Sequence, residues 1–487
     1  MREPGPVMDP ILDEVRRFYE SQHEGIERSR LRHRYYYDYL SAVFSVRVPP
    51  GERVLDLGCG AGHLLAALRP SRGVGIDVSS HAIRAARERY GSERLSFLEG
   101  DVSDPELLAR AGGPFETILL VNLVTHLTDV QSLLEALHRV SHPRTRVLIY
   151  SYSRLWQPLL RLAELLGMKY HQPPEAWLPP EEIKAMLELA DFEVVRDDAH
   201  IVCPLGIPLL ADLTNRYLGR LPLVDAFSLM FGIIARPAAV RGAAKRKAEP
   251  TVSVVIPCRN EAGHIKPLVE SLPALPPGSE FLFIEGHSTD DTAAVIERAV
   301  SDHPELPLRS FRQPGQGKGD AVRFGFAQAT GDVLLILDSD MGIAPADVPK
   351  FVAALARGKC EMVNGSRLVY PMEGRAMRFL NLLANKFFAF LFSWLLGQQV
   401  RDTLCGTKAL WREDYARIAA NRAYFGDFDP FGDFDLLFGA ARLNMRIVDL
   451  AVRYHERRYG ETNISRFRHG WLLLQMSGFA ARKLKLL

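Results

Sequence analysis

Short runs of β-branched residues and leucine that stop abruptly in glycines or carboxylates constrain this chain more than any other feature. They are VLDLG (Val54 to Gly58), ILLVNLV (Ile118 to Val124), RVLIYSY (Arg146 to Tyr152), VSVVIP (Val252 to Pro257), EFLFIE (Glu280 to Glu285) and DVLLILD (Asp332 to Asp338). Between them lie amphipathic stretches such as SSHAIRAARERYG (Ser79 to Gly91) and TAAVIERAVSD (Thr292 to Asp302). Buried strands alternating with helices predict parallel sheets with crossover connections, and ligands then collect where the strands end.

The chain has 487 residues, and at roughly 100–200 residues per domain it is long enough for two or three. From Arg236 to Pro250 (RPAAVRGAAKRKAEP) the large apolar residues disappear, which is the composition of a connector. The expected organisation is therefore a first α/β domain over 1–236, a linker over 237–250, a second α/β domain over 251–463 and an amphipathic basic helix over 464–487. The motif orders of the two halves differ, so they are not repeats. The fold expected is α/β, two Rossmann-like domains in tandem.

A net charge of only +2 gives no global field for nucleic acid. Five scattered cysteines without a CxxC pair suggest neither a disulfide frame nor a zinc site, and fit a reducing cytoplasm. The N-terminus lacks the apolar core of a signal peptide, so a cytoplasmic protein is expected.

In the first half, VLDLG runs into Gly58-Cys59-Gly60-Ala61-Gly62 and a helical stretch. Glycines let backbone approach a ligand closely, and the helix start behind them offers N–H groups. Alone, such a loop is only a tight turn. Here Asp56 precedes it, a second strand ends in Asp77 and a third is followed by Asp101. A dinucleotide fingerprint would read GxGxxG, whereas this reads GxGxG with an acid in front. With these acids, residues 30 to 236 resemble the class I S-adenosylmethionine-dependent methyltransferases. The resemblance implies that Asp56, Gly58, Gly60 and Gly62 hold the amino-acid end of S-adenosylmethionine, Asp77 both ribose hydroxyls and Asp101 the adenine amine. Asn122 and His126, after the fourth strand, are candidates to face the methyl group, His126 as a base or only as a capping side chain. The aromatic stretch Arg34 to Tyr39 reads as a packed helix or a lid.

In the second half, VSVVIP is followed by Cys258-Arg259-Asn260-Glu261, and DVLLILD by Ser339-Asp340. Two carboxylates at i and i+2 of a strand end can share one divalent ion and the phosphates it bridges. With Ala-Thr-Gly-Asp before that strand, residues 251 to 463 resemble family 2 glycosyltransferases of the GT-A fold. The resemblance implies a nucleotide diphosphate sugar held by Pro257, Glu261, Glu285, Lys318 and Asp338, with Mg²⁺ or Mn²⁺ on Asp338 and Asp340, and Asp340 the closer ligand. Asp433, in Gly-Asp-Phe-Asp-Leu, falls where inverting members carry the base that deprotonates an acceptor hydroxyl. Where the usual second motif reads Asp-Asp-Gly-Ser, this chain reads Glu-Gly-His-Ser.

Asn364-Gly365-Ser366-Arg367, the Asp402 to Lys408 stretch and Arg457-Arg458-Tyr459-Gly460 resemble the polyprenyl-phosphate sugar synthases within that family, implying that Arg367, Arg457 and Arg458 meet a lipid phosphate. A phosphate acceptor is already ionised and needs no base. The stretch Arg378 to Leu396 carries an apolar stripe, and Phe387 to Val400 has no charge, but its 14 residues fall short of the ~20 that span a bilayer. With the basic tail, it suits either peripheral contact with the inner face of the membrane or a soluble oligomer. The expected activity is bifunctional, methyl transfer plus glycosyl transfer to a polyprenyl-phosphate or glycan acceptor. The alternatives are a glycosyltransferase acting on a sugar hydroxyl beside a non-catalytic cofactor domain, and a sugar-nucleotide-binding scaffold without turnover.

Overall fold

The computed structural model describes residues 10–167, 176–221, 224–238, 247, 249–369, 379–424, 434–455 and 466–485. Two compact units divide the chain, residues 1–244 with 485–487, and residues 245–484.

Unit 1 is built on a seven-stranded sheet of β1 (Arg53–Leu57), β2 (Arg72–Asp77), β3 (Leu95–Glu99), β4 (Thr117–Val121), β5 (Arg146–Tyr152), β6 (Phe192–His200) and β7 (Met230–Pro237). Their order is β3-β2-β1-β4-β5-β7-β6, with β7 antiparallel to both neighbours. The chain therefore reverses its winding between β1 and β4, and the crevice at that point is where such sheets bind ligands. One face packs on Ile118, Leu120, Leu134 and Ile183, the other on Val43, Phe44, Leu119 and Leu148. Because Val43 and Phe44 are fully buried, each contributing ~1.5–3 kcal/mol, the helix Arg34–Arg47 is a packed wall of the domain rather than a lid. Its last residue closes the join, Arg47 donating to Asp198 of β6 at 2.6 Å while Tyr150 of β5 donates to the same carboxylate at 3.1 Å.

Unit 2 carries β8 (Val252–Cys258), β9 (Glu280–Glu285), β10 (Leu308–Arg312), β11 (Val333–Ile336), β12 (Met362–Ser366), β13 (Lys408–Trp411) and β14 (Ile447–Ala451). They pair as β10-β9-β8-β11-β13-β12-β14, reversing between β8 and β11. Only β13 runs antiparallel, wedged between β11 and β12. Its first residue, Lys408, pairs with Ile336 at the end of β11, so the loop entering β13 arrives beside Asp338. The helix Phe379–Leu396 packs against Arg466–Leu484 and buries Phe392, Leu395 and Leu396, while Leu383, Phe387 and Phe390 stay exposed. Among the described residues no helix is long and apolar enough to cross a membrane.

Candidate functional sites

In unit 1 the acids named above meet at one edge of the sheet. Gly58, Gly60 and Gly62 all have positive φ, which side-chain-bearing residues rarely adopt. The consequence differs between them. A Cβ on Gly62 would lie 2.7 Å from the Phe97 ring, so this glycine serves packing, whereas a Cβ on Gly60 would meet nothing within 4 Å. The open side of the loop is thus at Gly60, where a ligand can lie against bare backbone. Asp77, at the end of β2, accepts from the Gly60 N–H at 2.8 Å and the Ser79 N–H at 2.9 Å, which fixes the loop over the crevice. Asp101 accepts from the Ser103 N–H at 2.8 Å in the same way.

Burial, with Asp77 nearby, pushes the Asp56 carboxyl up to about 8. Burial also raises Asp77, against the pull of the Ser79 and Gly60 N–H groups. An uncharged Asp56 against a cofactor cation would gain by losing its proton, so the donor set fits S-adenosylmethionine.

The helices Pro10–Ser21 and His23–Arg32 lie over this edge, which the sequence reading did not anticipate. The Tyr19 hydroxyl is 3.1 Å from His126 Nε2, Ser80 donates to Glu20 at 3.5 Å, and Glu27 is 3.1 Å from His63 Nε2. The Tyr90 hydroxyl holds the other His63 nitrogen at 2.7 Å. His126 therefore sits at the end of β4 with its imidazole engaged by the cap. Asn122, at φ +52°, follows the last strand residue Val121, so the strand ends three residues before the apolar run does, and Asn122 donates to the Tyr36 hydroxyl at 3.3 Å. Tyr36 in turn donates to Tyr152 at 3.2 Å. Tyr19 with His126, and Tyr36 with Asn122 and Tyr152, thus form two hydrogen-bonded groups beyond the ends of β4 and β5.

In unit 2 the strand ends converge similarly. Cys258 pairs with Glu285 across β8 and β9, and the Ser339 hydroxyl donates to the Pro257 carbonyl at 3.0 Å, which brings Pro257, Glu285 and Asp338 to one edge. Lys318 donates to Asp338 Oδ1 at 2.6 Å. Burial opposes the charge of Asp338, yet Lys318, then Lys408 and Arg367, hold its carboxyl below the usual range. A Cβ on Gly406 would overlap the Asp338 carboxylate and the Lys318 ammonium, so an alanine there would push that pair aside. Asp340 accepts from the Gly342 N–H at 3.0 Å. No group of three metal-binding side chains occurs among the described residues. Two carboxylates nevertheless suit Mg²⁺, which is usually held by one or two carboxylates with substrate phosphates completing its shell. The site thus fits a divalent ion brought in with its donor.

Glu285 accepts from the Ser288 N–H at 2.6 Å and faces Arg312 at 3.5 Å. Glu261 is turned away into the first turn of the next helix, buried, with Oε2 2.6 Å from His264 Nδ1. Its Oε2 is thus engaged locally. Arg367 likewise has a structural partner. Its Nε and Nη2 donate to the two oxygens of buried Asp402 at 2.8 and 2.9 Å, and its guanidinium lies 4.9 Å from the Tyr454 ring centre. Asp433, Arg457 and Arg458 lie outside the described residues.

Residues 28–197 match the family model described as Methyltransferase domain, and residues 253–418 the model described as Glycosyl transferase family 2. An uncharacterized glycosyltransferase of Mycobacterium tuberculosis is 29% identical over 218 residues, covering 44% of this chain and 89% of that protein. The undecaprenyl-phosphate 4-deoxy-4-formamido-L-arabinose transferase of Proteus mirabilis is 25% identical over 220 residues, 44% of this chain and 63% of that protein. A S-adenosylmethionine-dependent methyltransferase of Thermotoga maritima aligns in structure over 46% of this chain and 99% of its own, with 17% identity and a TM-score of 0.36.

Proposed function

We propose that this chain, an enzyme that joins a methyltransferase domain to a family 2 glycosyltransferase domain, carries out both reactions. Unit 1 transfers the methyl group of S-adenosylmethionine, and unit 2 transfers a sugar from a nucleotide diphosphate donor with Mg²⁺ or Mn²⁺. The observation that carries the reading is the gathering of strand-end carboxylates beside the winding reversal in each sheet, Asp56 and Asp77 on the adjacent β1 and β2 in the first, Glu285 and Asp338 flanking it in the second.

In unit 1, Gly60 offers open backbone, Asp77 presents a carboxylate to the ribose hydroxyls, and Asp56 gives up its proton to meet the cofactor's ammonium. Methyl transfer then needs chiefly alignment, supplied by the cap from Tyr19 to His126. His126, bonded to Tyr19, is placed to take a proton from an acceptor hydroxyl or amine. In unit 2, Asp338 and Asp340 hold the ion, which when bound neutralises charge on the leaving diphosphate. Lys318 supplies a cation at the same point and keeps Asp338 ionised. Gly406 keeps the space between them clear.

For the sugar acceptor we favour a polyprenyl-phosphate-like lipid at a membrane surface. The undecaprenyl-phosphate transferase relative and the exposed Leu383, Phe387 and Phe390 support it. With two donors of Arg367 on Asp402, the phosphate contact is assigned to Arg457 and Arg458, and Asp433 is dispensable for an acceptor already ionised.

The experiment is a paired one. Isothermal titration with S-adenosylmethionine should give heat with the wild type and little with Asp77→Ala; no heat from either refutes the methyl-transfer reading. Consumption of uridine and guanosine diphosphate sugars with Mg²⁺ or Mn²⁺ should require Asp340. An Asp340→Ala variant that turns over normally refutes the metal role. Extracted polyprenyl phosphate as acceptor should become glycosylated in wild type and fail with Arg457→Ala. Glycosylation of a soluble sugar hydroxyl that survives Arg457→Ala but dies with Asp433→Asn overturns the acceptor.

A further inference from the structure

Two segments of unit 1 leave the sheet at the edge that carries Asp56 and Asp77. One follows β5 at Tyr152, and the other joins β6 to β7 between His200 and Met230. Tyr152 and His200 both pair with Met230, so both segments begin at one end of the sheet. They lie side by side there, since Trp156 Nε1 donates to the Phe227 carbonyl at 2.8 Å.

Both are strongly apolar and uncovered. Residues 155–166 and 205–221 expose eleven leucines, among them Leu165 and Leu209 at 85% and 86%, against the exposed aromatics Tyr217 and Phe227 nearby. Cores of protein interfaces are enriched in aromatics and Met, whereas leucine-rich helices beside basic residues are the composition of segments that lie in a lipid headgroup layer.

The basic residues are present. A cavity of about 360 Å³ is lined by Arg32, His33, Arg34 and Tyr35 and closed by the loop 204–206, with no carboxylate in its wall. The loop is seated firmly. A Cβ on Gly206 would come 3.1 Å from Tyr35 Cβ, and Asn215 Nδ2 donates to the Tyr35 hydroxyl at 3.1 Å while its Oδ1 accepts from Val202 and Cys203. His33 Nδ1 is 2.9 Å from the Ser29 carbonyl. Arg34 pairs with Asp38 at 3.1 Å on the exposed surface, a weak pair that a competing anion can open. The cavity thus adjoins Leu205 and the apolar segment that starts there.

We propose that this face of unit 1 docks on an anionic lipid bilayer, lipid phosphates meeting Arg32, His33 and Arg34 while the leucines of 155–166 and 205–221 settle into the headgroup–acyl boundary. The face carries Arg32, Arg34, Arg161 and Arg216 against Asp38, Glu164 and Asp212, and this cationic excess, with His33 beside it, commits the face to an anionic surface. The docking stands on these residues alone. Its consequence, that the methyl acceptor is lipid-borne, rests on the methyl-transfer reading above.

The test is co-sedimentation of the full chain with vesicles of phosphatidylglycerol and phosphatidylcholine, and with phosphatidylcholine alone, in four forms: wild type, Leu159→Glu/Leu209→Glu, Arg32→Glu/Arg34→Glu, and Phe387→Glu/Phe390→Glu, which alters only the exposed helix of unit 2. The leucine pair should lower partition onto anionic vesicles at least ~tenfold, with unfolding temperature unchanged. The arginine pair should erase the preference for phosphatidylglycerol. The Phe387/Phe390 form should still partition. The proposal is overturned if wild type does not partition, if the leucine pair partitions like wild type, if the Phe387/Phe390 form loses all binding, or if lipid-free wild type is a dimer that the leucine pair makes monomeric. Vesicle binding without heat from S-adenosylmethionine leaves the docking supported and refutes the methyl-transfer reading alone.

Discussion

Asp402 receives five donors: Arg367 Nε and Nη2, the Arg367 and Leu404 N–H groups at 3.0 and 3.2 Å, and Asn385 Nδ2 at 2.9 Å. Burial resists its charge, but Arg367 wins and holds the carboxyl below the ordinary range. Replacing Asp402 by Leu leaves three neutral donors unmet, at about 1 kcal/mol each, and strands a largely buried guanidinium, for a total of about 5 kcal/mol. Arg367→Leu removes the compensating charge while the three neutral donors remain, costing about 3 kcal/mol. The double variant strands no charge and leaves only the three neutral donors unmet, so it should cost about 3 kcal/mol, not the roughly 8 of the sum, and a coupling near 5 kcal/mol is expected. Urea unfolding gives the free energies, and hydrogen exchange of peptides around residues 362–369 and 400–411 assigns the transition to unit 2. Additivity within ~0.5 kcal/mol would refute the account. The pH sign follows. A carboxyl depressed in the folded state contributes stability above its unfolded value near 4, and that contribution is lost as pH falls through the lower folded value.

Because Asp56 is held protonated up to about 8, S-adenosylmethionine binding at pH 7 should release close to one proton, read from calorimetry in buffers of different ionisation heat; Asp56→Asn should release none. In the free protein the same carboxyl, raised above its unfolded value, makes unit 1 less stable as pH rises from about 4 to about 8, and Asp56→Asn should flatten that slope. Gly406→Ala, whose Cβ would overlap Asp338 and Lys318, should slow glycosyl transfer ~100-fold with little loss of fold. Gly470→Ala, with nothing within 4 Å, should leave transfer unchanged and serves as its control.

Strands read from apolar runs landed closely where the run was buried on both faces, Arg146–Tyr152 and Glu280–Glu285, and the amphipathic run Thr292–Asp302 is a helix with one buried side. The carboxylates gathered where strand ends must gather. What escaped did so for physical reasons. FEVVRDDAH forms β6 with buried Arg196 and Asp198 paired to each other and a register shift at Val194, so no period of two survives in its hydropathy. The cap over unit 1 is made by polar helices whose partners, such as His126 for Tyr19, lie a hundred residues away. Arg367 and Asp402 read as parts of two separate motifs because they stand 35 positions apart, and only three dimensions show one neutralising the other.

The same closure limits how the intervening chain can vary. Arg367 and Asp402 bring the two ends of the intervening chain to hydrogen-bonding distance, and Asn385 of the helix Phe379–Leu396 donates to the same carboxylate. The segment between them is therefore clasped at three points and not at its ends alone. An insert of another length that kept those three contacts would close on the same clasp beside Asp338 and Gly406.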